Sequence, residues 1–134
     1  MIFLPPAHLL PPGFLYPKQY LKMVETSDFP DLYPWQFLGK TPDELSPYVT
    51  GMTKVHQDKH LIPFAQEDSS NADIACFDGS DTTGDPKVYF HVFSGSSPAP
   101  SWEERYQLKN FAEWLRVAAE ESVTFKREQA ETGE

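Results

Sequence analysis

Six carboxylates stand close together in the middle of the chain, and their spacing raises the question of what chemistry they could do. They are Glu67, Asp68, Asp73, Asp78, Asp81 and Asp85, with no Lys or Arg among them. Aspartate is common in turns because its side chain accepts hydrogen bonds from nearby backbone N–H groups. Alternatively, the carboxylates form one anionic rim of a sheet that docks a basic partner. The two interpretations are compatible, and only the second predicts a function.

The docking interpretation assigns specific contact residues. Five carboxylates are the expected partner contacts: Glu67, Asp68, Asp73, Asp81 and Asp85. Asp78 closes a strand and is expected to be held by its turn. Asp81 and Asp85 are expected in an exposed turn, so Lys at both positions should slow association while leaving folding intact. If the carboxylates only stabilise turns, the exposed aromatics around Trp35 or Trp102 are the alternative contact site.

No complete catalytic or metal-binding set accompanies the carboxylates. His56 and His60 would share one face of a helix, but no Glu follows the first and no third ligand has a characteristic spacing. Residues 78–81 (DGSD) resemble the start of a calcium loop, yet the later ligand positions fail. His91 is expected to be a packed strand residue. We therefore predict no catalytic residue, no metal and no cofactor, while carboxylates paired by the fold remain an alternative.

The charge of the chain limits the classes of partner. With 20 acidic and 11 basic residues, the formal net charge is -9. This field repels nucleic acids and anionic membranes and attracts basic proteins. The single cysteine, Cys76, cannot form an intrachain disulfide and is expected to be buried and inert. Prolines interrupt any signal-peptide core in the apolar N-terminal segment. We expect a cytoplasmic protein that binds neither nucleic acid nor membrane directly.

Three apolar runs predict the strands that would carry the carboxylates. They are 61–65 (LIPFA), 74–78 (IACFD) and 88–93 (VYFHVF). In the last run Val88, Phe90 and Val92 share one face, because side chains of a strand alternate with a period of two. The breaks between the runs are too short for crossover helices, so neighbouring strands should be antiparallel.

Helices are predicted on both sides of this region of the chain. Pro17 suits the first turn of a helix over 17–25, which should end before Asp28. Its inward stripe is Tyr20, Met23 and Val24. Asn110 and Glu113 form a capping box for a final helix of about four turns. The core-facing side chains of that helix are Phe111, Trp114, Leu115, Ala118, Ser122 and Phe125, and the polar residues after it should be a solvated tail.

Other segments are less regular. Residues 1–14 are predicted to form an extended apolar arm that either lies on the domain or meets a neighbour. Residues 29–38, which include Trp35, form either a short edge strand or a packed loop. Residues 41–44 are a capping box for a short helix. Residues 101–108 are ambiguous between a helical turn and a strand. This order of helices and antiparallel strands predicts a single α+β domain.

Four strings follow one another along the chain: FLYPKQYLKMVE, LIPFA, CFD followed by a turn and VYF, and NFAEWL. Their order and spacing resemble the SUKH superfamily, which includes yeast cell-wall-synthesis regulators of the Smi/Knr type and many bacterial immunity proteins. FLYPKQYLKMVE is similar to the Leu-Pro-x-x-Tyr-x-x-Phe entry of the family, and NFAEWL to its Ser-Phe-x-x-Trp/Phe-Leu string. Asn110 replaces the usual Ser as an equivalent cap, and residues 27–30 replace the Gly-rich turn after the first helix.

The resemblance implies a fold and a function. It implies a mixed, largely antiparallel sheet flanked by helices over residues 15–127, between the arm of residues 1–14 and a solvated tail over 128–134. It also implies a protein without catalytic activity that binds a partner, often a toxin such as a nuclease. We therefore expect an immunity protein that masks the active site of a basic toxin. An intracellular regulator or scaffold without a toxin partner is the main alternative, and a hydrolase with an unrecognised site is a third.

Overall fold

The computed structural model of the chain describes residues 2–5, 7–55, 60–68, 73–91 and 106–131. A 3-10 helix (Ala7–Leu9) precedes the α-helices α1 (Lys18–Thr26), α2 (Leu45–Val55) and α3 (Phe111–Glu131). The strands are β1 (Trp35–Phe37), β2 (Leu61–Glu67), β3 (Ile74–Asp78), β4 (Val88–His91) and β5 (Gln107–Leu108).

The five strands form one sheet in which the spatial order follows the chain, β1-β2-β3-β4-β5. Every described pairing is antiparallel. The three predicted central strands and the single α+β domain are confirmed. The family resemblance implies a mixed, largely antiparallel sheet, and the strands that the structure describes pair antiparallel in every case.

Helices cover both faces of the sheet. α1 and α3 pack on one face around an aromatic core, whose largest buried side chains are Tyr20, Phe64, Phe77, Phe111 and Trp114. α2 covers the other face, where the buried side chains include Leu45, Met52, Leu61, Cys76 and Tyr89. The predicted inward stripe of α1 is confirmed, since Met23 and Val24 also pack against the aromatic core. The sheet is thus a central layer between α1 and α3 on one face and α2 on the other.

β2 contains an irregularity at Pro63. The pairing with β3 shifts between Pro63 and Ala65, which is the signature of a bulge. Proline cannot donate to a ladder and is tolerated inside a sheet at such positions. Phe64 and Ala65 consequently both contribute to the aromatic core, although they are adjacent. The shift also changes which residues after Ala65 point toward α3.

α3 begins where the capping box predicts. The Asn110 Oδ1 accepts a hydrogen bond from the Glu113 N–H at 2.9 Å, and the Glu113 Oε1 accepts one from the Lys109 N–H at 3.2 Å. The predicted length was wrong, because α3 runs for 21 residues to Glu131. The polar sequence after Phe125 has high helix propensity and extends the helix without needing a core face. The predicted tail therefore begins as helix.

The structure resolves the choice left open for residues 29–38. Trp35 lies in the edge strand β1 and is only 5% exposed, with its ring 5.7 Å from that of Trp114. The prediction that Trp35 is an exposed contact for a partner is therefore wrong, since its ring is part of the core. Trp102 lies outside the described residues, as do 101–105; the ambiguous segment ends in strand β5.

The N-terminal segment lies on the domain. Ile2 and Phe14 are buried in the aromatic core, and the Phe3 N–H donates to the Gly39 carbonyl oxygen at 2.7 Å. Its apolar side chains are thereby removed from water. The segment includes the 3-10 helix and is not extended throughout. α2 starts at Leu45, just after the predicted capping box, and the Glu44 carboxylate accepts hydrogen bonds from the Gly39 and Lys40 N–H groups.

Candidate functional site

The six carboxylates of the central region lie at two ends of the sheet. Glu67, Asp68 and Asp73 flank the β2–β3 connection, whereas Asp78, Asp81 and Asp85 flank or lie within the β3–β4 connection. Consecutive connections in an antiparallel sheet turn at opposite ends. Because β2 has seven residues, the two groups are about 20 Å apart. The expected single anionic rim is therefore wrong.

Backbone pairing fixes the position of Glu67. Glu67 lies directly opposite Trp35 in the β1–β2 ladder, and the Glu67 N–H donates to the Asp73 carbonyl oxygen at 2.8 Å. Opposed residues in an antiparallel pair project from the same face of the sheet. Trp35 faces α3, so Glu67 also projects toward α3. Without the bulge at Pro63, the alternation of β2 would have placed Gln66 there instead.

The C-terminal half of α3 adds carboxylates to the same end. A groove of about 360 Å³ lies between β2 and this helix. It is lined by Pro34, Glu67, Val117, Glu120, Glu121, Thr124, Phe125 and Glu128. The helical residues recur at intervals of three and four, which places them on one face of α3. We call the set of Glu67, Asp68, Asp73, Glu120, Glu121 and Glu128 the acidic end.

Burial and mutual repulsion raise the pKa of two carboxylates of the acidic end. Burial, with the neighbouring charges of Glu67 and Asp73, raises the pKa of Glu121 above its ordinary range, against a smaller lowering by the Trp35 indole. Burial and the charge of Glu67 likewise raise the pKa of Asp73, with His91 acting in the opposite direction. The ionised carboxylates therefore destabilise one another in the free protein.

Some charges at this end already have partners. The Tyr33 hydroxyl donates to the Asp68 Oδ2 at 3.1 Å. Arg116 and Glu120 form an exposed ion pair at 3.1 Å, one helical turn apart. Contacts of this exposed kind are weak and exchange readily with other partners. Acidic groups of β2, of the residues that flank the β2–β3 connection and of α3 therefore meet at one surface.

The opposite end of the sheet is built from turn contacts. The Asp78 Oδ1 accepts hydrogen bonds from the Ser80 N–H at 2.9 Å and the Ser80 hydroxyl at 2.6 Å. Asp78 is 4% exposed, as expected for a residue held by its turn. A Cβ at Gly79 would lie 2.5 Å from the His60 carbonyl oxygen, so the backbone approaches too closely for any other residue.

Asp81 holds the same turn together from inside. Its carboxylate accepts hydrogen bonds from the Thr83 hydroxyl at 2.6 Å, the Thr83 N–H at 3.1 Å and the Lys87 N–H at 3.3 Å. Burial acts to raise its pKa, but these bonds and the Lys87 charge hold the pKa of Asp81 below its ordinary value. Its side chain is 8% exposed, so the prediction of an exposed contact that tolerates Lys is wrong.

Asp85 is exposed and accepts a hydrogen bond from the Asn110 Nδ2 at 3.0 Å. It therefore ties the turn to the start of α3. Lys87 and Lys109 line the surface beside it and offset its charge. At this end Asp78 and Asp81 stabilise the turn, as acidic residues in turns ordinarily do. Asp85 also has a structural partner, Asn110.

The remaining candidates for chemistry do not assemble a site. Burial raises the pKa of the Cys76 thiol well above its ordinary value, as expected for an inert core residue. His56 lies outside the described residues, so the sequence prediction that it and His60 hold no metal stays a prediction. Within the parts of the chain that the structure describes, no three His, Cys, Asp or Glu side chains are arranged to hold a metal ion. None of the described helices combines the length and hydrophobicity needed to cross a bilayer.

No protein-family model, curated protein or solved structure matches this chain. The resemblance to the SUKH superfamily therefore rests on the sequence strings and their order. Sequence reasoning found Glu67, Asp68 and Asp73 but missed Glu120, Glu121 and Glu128 as members of the site. Their spacing is visible on the predicted final helix, but the sequence does not show which end of the sheet that helix reaches.

Proposed function

We propose that this protein is a non-enzymatic binding protein that docks a basic partner through the acidic end. The observation that carries the proposal is the convergence of carboxylates of β2 and α3 on one groove, with Asp73 close enough to act on Glu121. A net charge of -9 would attract a basic partner over a distance. Concentrating that charge at one end of the sheet would orient the partner as well.

The raised pKa values of Glu121 and Asp73 support a cationic ligand at this end. Carboxylates that repel one another gain more from a nearby cation than isolated carboxylates do, because the cation relieves their repulsion as well as adding its own attraction. A cation bound at this end would stabilise the ionised forms of Glu121 and Asp73, which burial and then the charge of Glu67 disfavour. A partner with clustered Lys or Arg side chains is the chemistry that fits.

Within this class, we propose an immunity protein that acts in the cytoplasm and masks the active site of a toxin such as a nuclease. Enzymes that bind nucleic acid have basic active-site surfaces, because they must attract phosphates. An acidic protein seated on such a surface would exclude the substrate. The resemblance to the SUKH superfamily supports the same class of function, and the proposed site needs neither a metal nor a cofactor.

A protection assay tests this function. If the proposal is right, the neighbouring reading frame encodes a protein with a basic C-terminal domain that stops growth of a bacterial host. Co-expression of the wild-type protein should restore growth, and the double variant Glu67→Lys, Asp68→Lys should protect much less. The double variant Asp85→Lys, Glu25→Lys changes the net charge by the same amount outside the acidic end; it is the matched control and should protect. Binding of that domain without protection would favour a regulator or scaffold, and the absence of both would contradict the proposal.

A further inference from the structure

The groove beside α3 has two kinds of wall. Pro34, Val117 and Phe125 provide apolar surface, and the carboxylates of Glu67, Glu121 and Glu128 lie along the same opening. The Phe125 ring also packs against Tyr33, with 5.5 Å between ring centres. A ligand that fills this groove needs an apolar stem and a cationic head. Long basic side chains have this construction.

A second observation at the same place concerns the indole of Trp35. Trp35 is 5% exposed, and its Nε1 is buried without a hydrogen-bond acceptor in bonding geometry. The indole lies close enough to the Glu121 carboxylate to lower its pKa. A buried donor without an acceptor is uncommon in folded proteins. The Glu121 carboxylate, which Glu67 and Asp73 repel, therefore lies beside the Trp35 N–H and could accept its hydrogen bond.

We propose that the groove binds an arginine side chain of the partner, an inference that rests on the function proposed above and specifies its contact chemistry. The guanidinium lies between Glu67 and Glu121, while its stem packs on Val117 and Phe125. Its charge removes the repulsion between the two carboxylates. The Glu121 carboxylate then moves toward the Trp35 indole and accepts its N–H. Binding thus brings the Trp35 N–H and the Glu121 carboxylate, which lie close together but out of bonding geometry in the free protein, into a full hydrogen bond.

Arginine fits this arrangement better than lysine or a polyamine. The guanidinium has five N–H donors in a plane and can bond two carboxylates at once, whereas an ammonium acts as a compact point charge. The guanidinium is also more weakly hydrated and stacks on aromatic rings such as that of Phe125. The groove combines both features, with carboxylates on one side and a phenyl ring on the other.

Titration with short cationic peptides tests the inference without the toxin. Hexa-arginine, hexa-lysine and spermine are added to the whole protein, and the indole ¹H–¹⁵N signal of Trp35 is followed by NMR. Hexa-arginine should bind about tenfold more tightly than hexa-lysine and shift the Trp35 signal. Glu121→Gln should weaken hexa-arginine binding about tenfold, whereas Glu25→Gln on α1 removes the same charge elsewhere and should change it less than about twofold.

Equal affinities for the three cations would refute the binding of an arginine side chain in the groove, and so would equal losses of affinity in the two variants. Either result would show only a general attraction between opposite charges. A lack of hexa-arginine binding would overturn the inference as well. None of these three results tests the proposed protection against a toxin, which the growth assay measures separately. If Glu121→Gln fails to fold by circular dichroism, the wild-type Trp35 signal decides, and a signal that does not move with bound hexa-arginine refutes the inference.

Discussion

Trp35 and Glu67 face each other across the β1–β2 ladder, and both side chains project toward α3. Trp35 is buried against Trp114, whereas Glu67 stands at the last position of β2 and lines the groove. The same pairing that completes the aromatic core therefore positions a carboxylate of the acidic end. The position of the candidate site depends on the packing of α3. A substitution in the core should therefore alter the geometry of the site.

Trp114 is the residue whose truncation should cost most in α3. Its ring lies 4.9 Å from that of Phe64 and 5.7 Å from that of Phe37, and the side chain is 1% exposed. Trp114→Ala should lower the free energy of unfolding by about 3–5 kcal/mol, because it leaves a cavity in the aromatic core. Arg116→Ala removes only an exposed ion pair and should change it by less than about 1 kcal/mol. Denaturant titration measures both, and similar losses would refute the assigned face.

Asp81 should be more important for stability than Asp85, although both follow β3. Asp81→Asn weakens a carboxylate that accepts three hydrogen bonds, and it should cost about 1–2 kcal/mol at neutral pH. Asp85→Asn loses the charge on one exposed hydrogen bond and should cost less than about 0.5 kcal/mol. Equal costs would mean that the contacts inside the turn contribute little.

The cost of Asp81→Asn should also depend on pH. Because the folded-state pKa of Asp81 is lowered, its contribution to stability is present above the unfolded-state pKa of about 4. That contribution is lost as the pH falls through the folded-state pKa. Denaturant titrations of wild type and Asp81→Asn should therefore converge in acid. A difference that stays constant from neutral pH into acid would contradict the assigned cause.

Glu121 should behave in the opposite way. Its folded-state pKa is raised, chiefly by burial and then by Glu67, so its contribution to stability is present at low pH and lost as the pH rises through that pKa. Glu121→Gln should thus be as stable as wild type at neutral pH, or more stable by up to about 0.5 kcal/mol. Any advantage should disappear below about pH 4. A clear loss of stability at neutral pH would show that the carboxylate supports the fold.

Local patterns predicted most of the architecture. The period-two alternation of 88–91, the bounded apolar runs of β2 and β3, and the Asn110 cap each correspond to a local physical rule, and each is confirmed. The division of the carboxylates between two ends was also contained in the antiparallel prediction, because successive turns alternate between ends. The prediction of a single anionic rim placed two successive turns at the same end of the sheet and is wrong for that reason.

Other features of the site depend on packing and were beyond local patterns. The bulge at Pro63 shifts the register of β2 and places Glu67 on the α3 face, but a proline in a strand does not specify where the extra residue lies. Glu121 joins the site because the middle of α3 lies beside the end of β2 that carries Glu67. Trp35, expected at the surface, is buried because the edge strand that carries it pairs with β2 and faces α3.

The most direct test of the account is the rate at which the basic toxin domain associates with charge-reversed variants. Glu67→Lys with Asp68→Lys alters the acidic end, and Asp85→Lys with Glu25→Lys, at exposed positions outside it, alters the net charge by the same amount. We expect the first pair to slow association by about tenfold or more at low salt, with the difference shrinking as screening increases, and the second pair to slow it much less. Equal slowing by both pairs, or a wild-type rate indifferent to salt, would contradict docking through the acidic end.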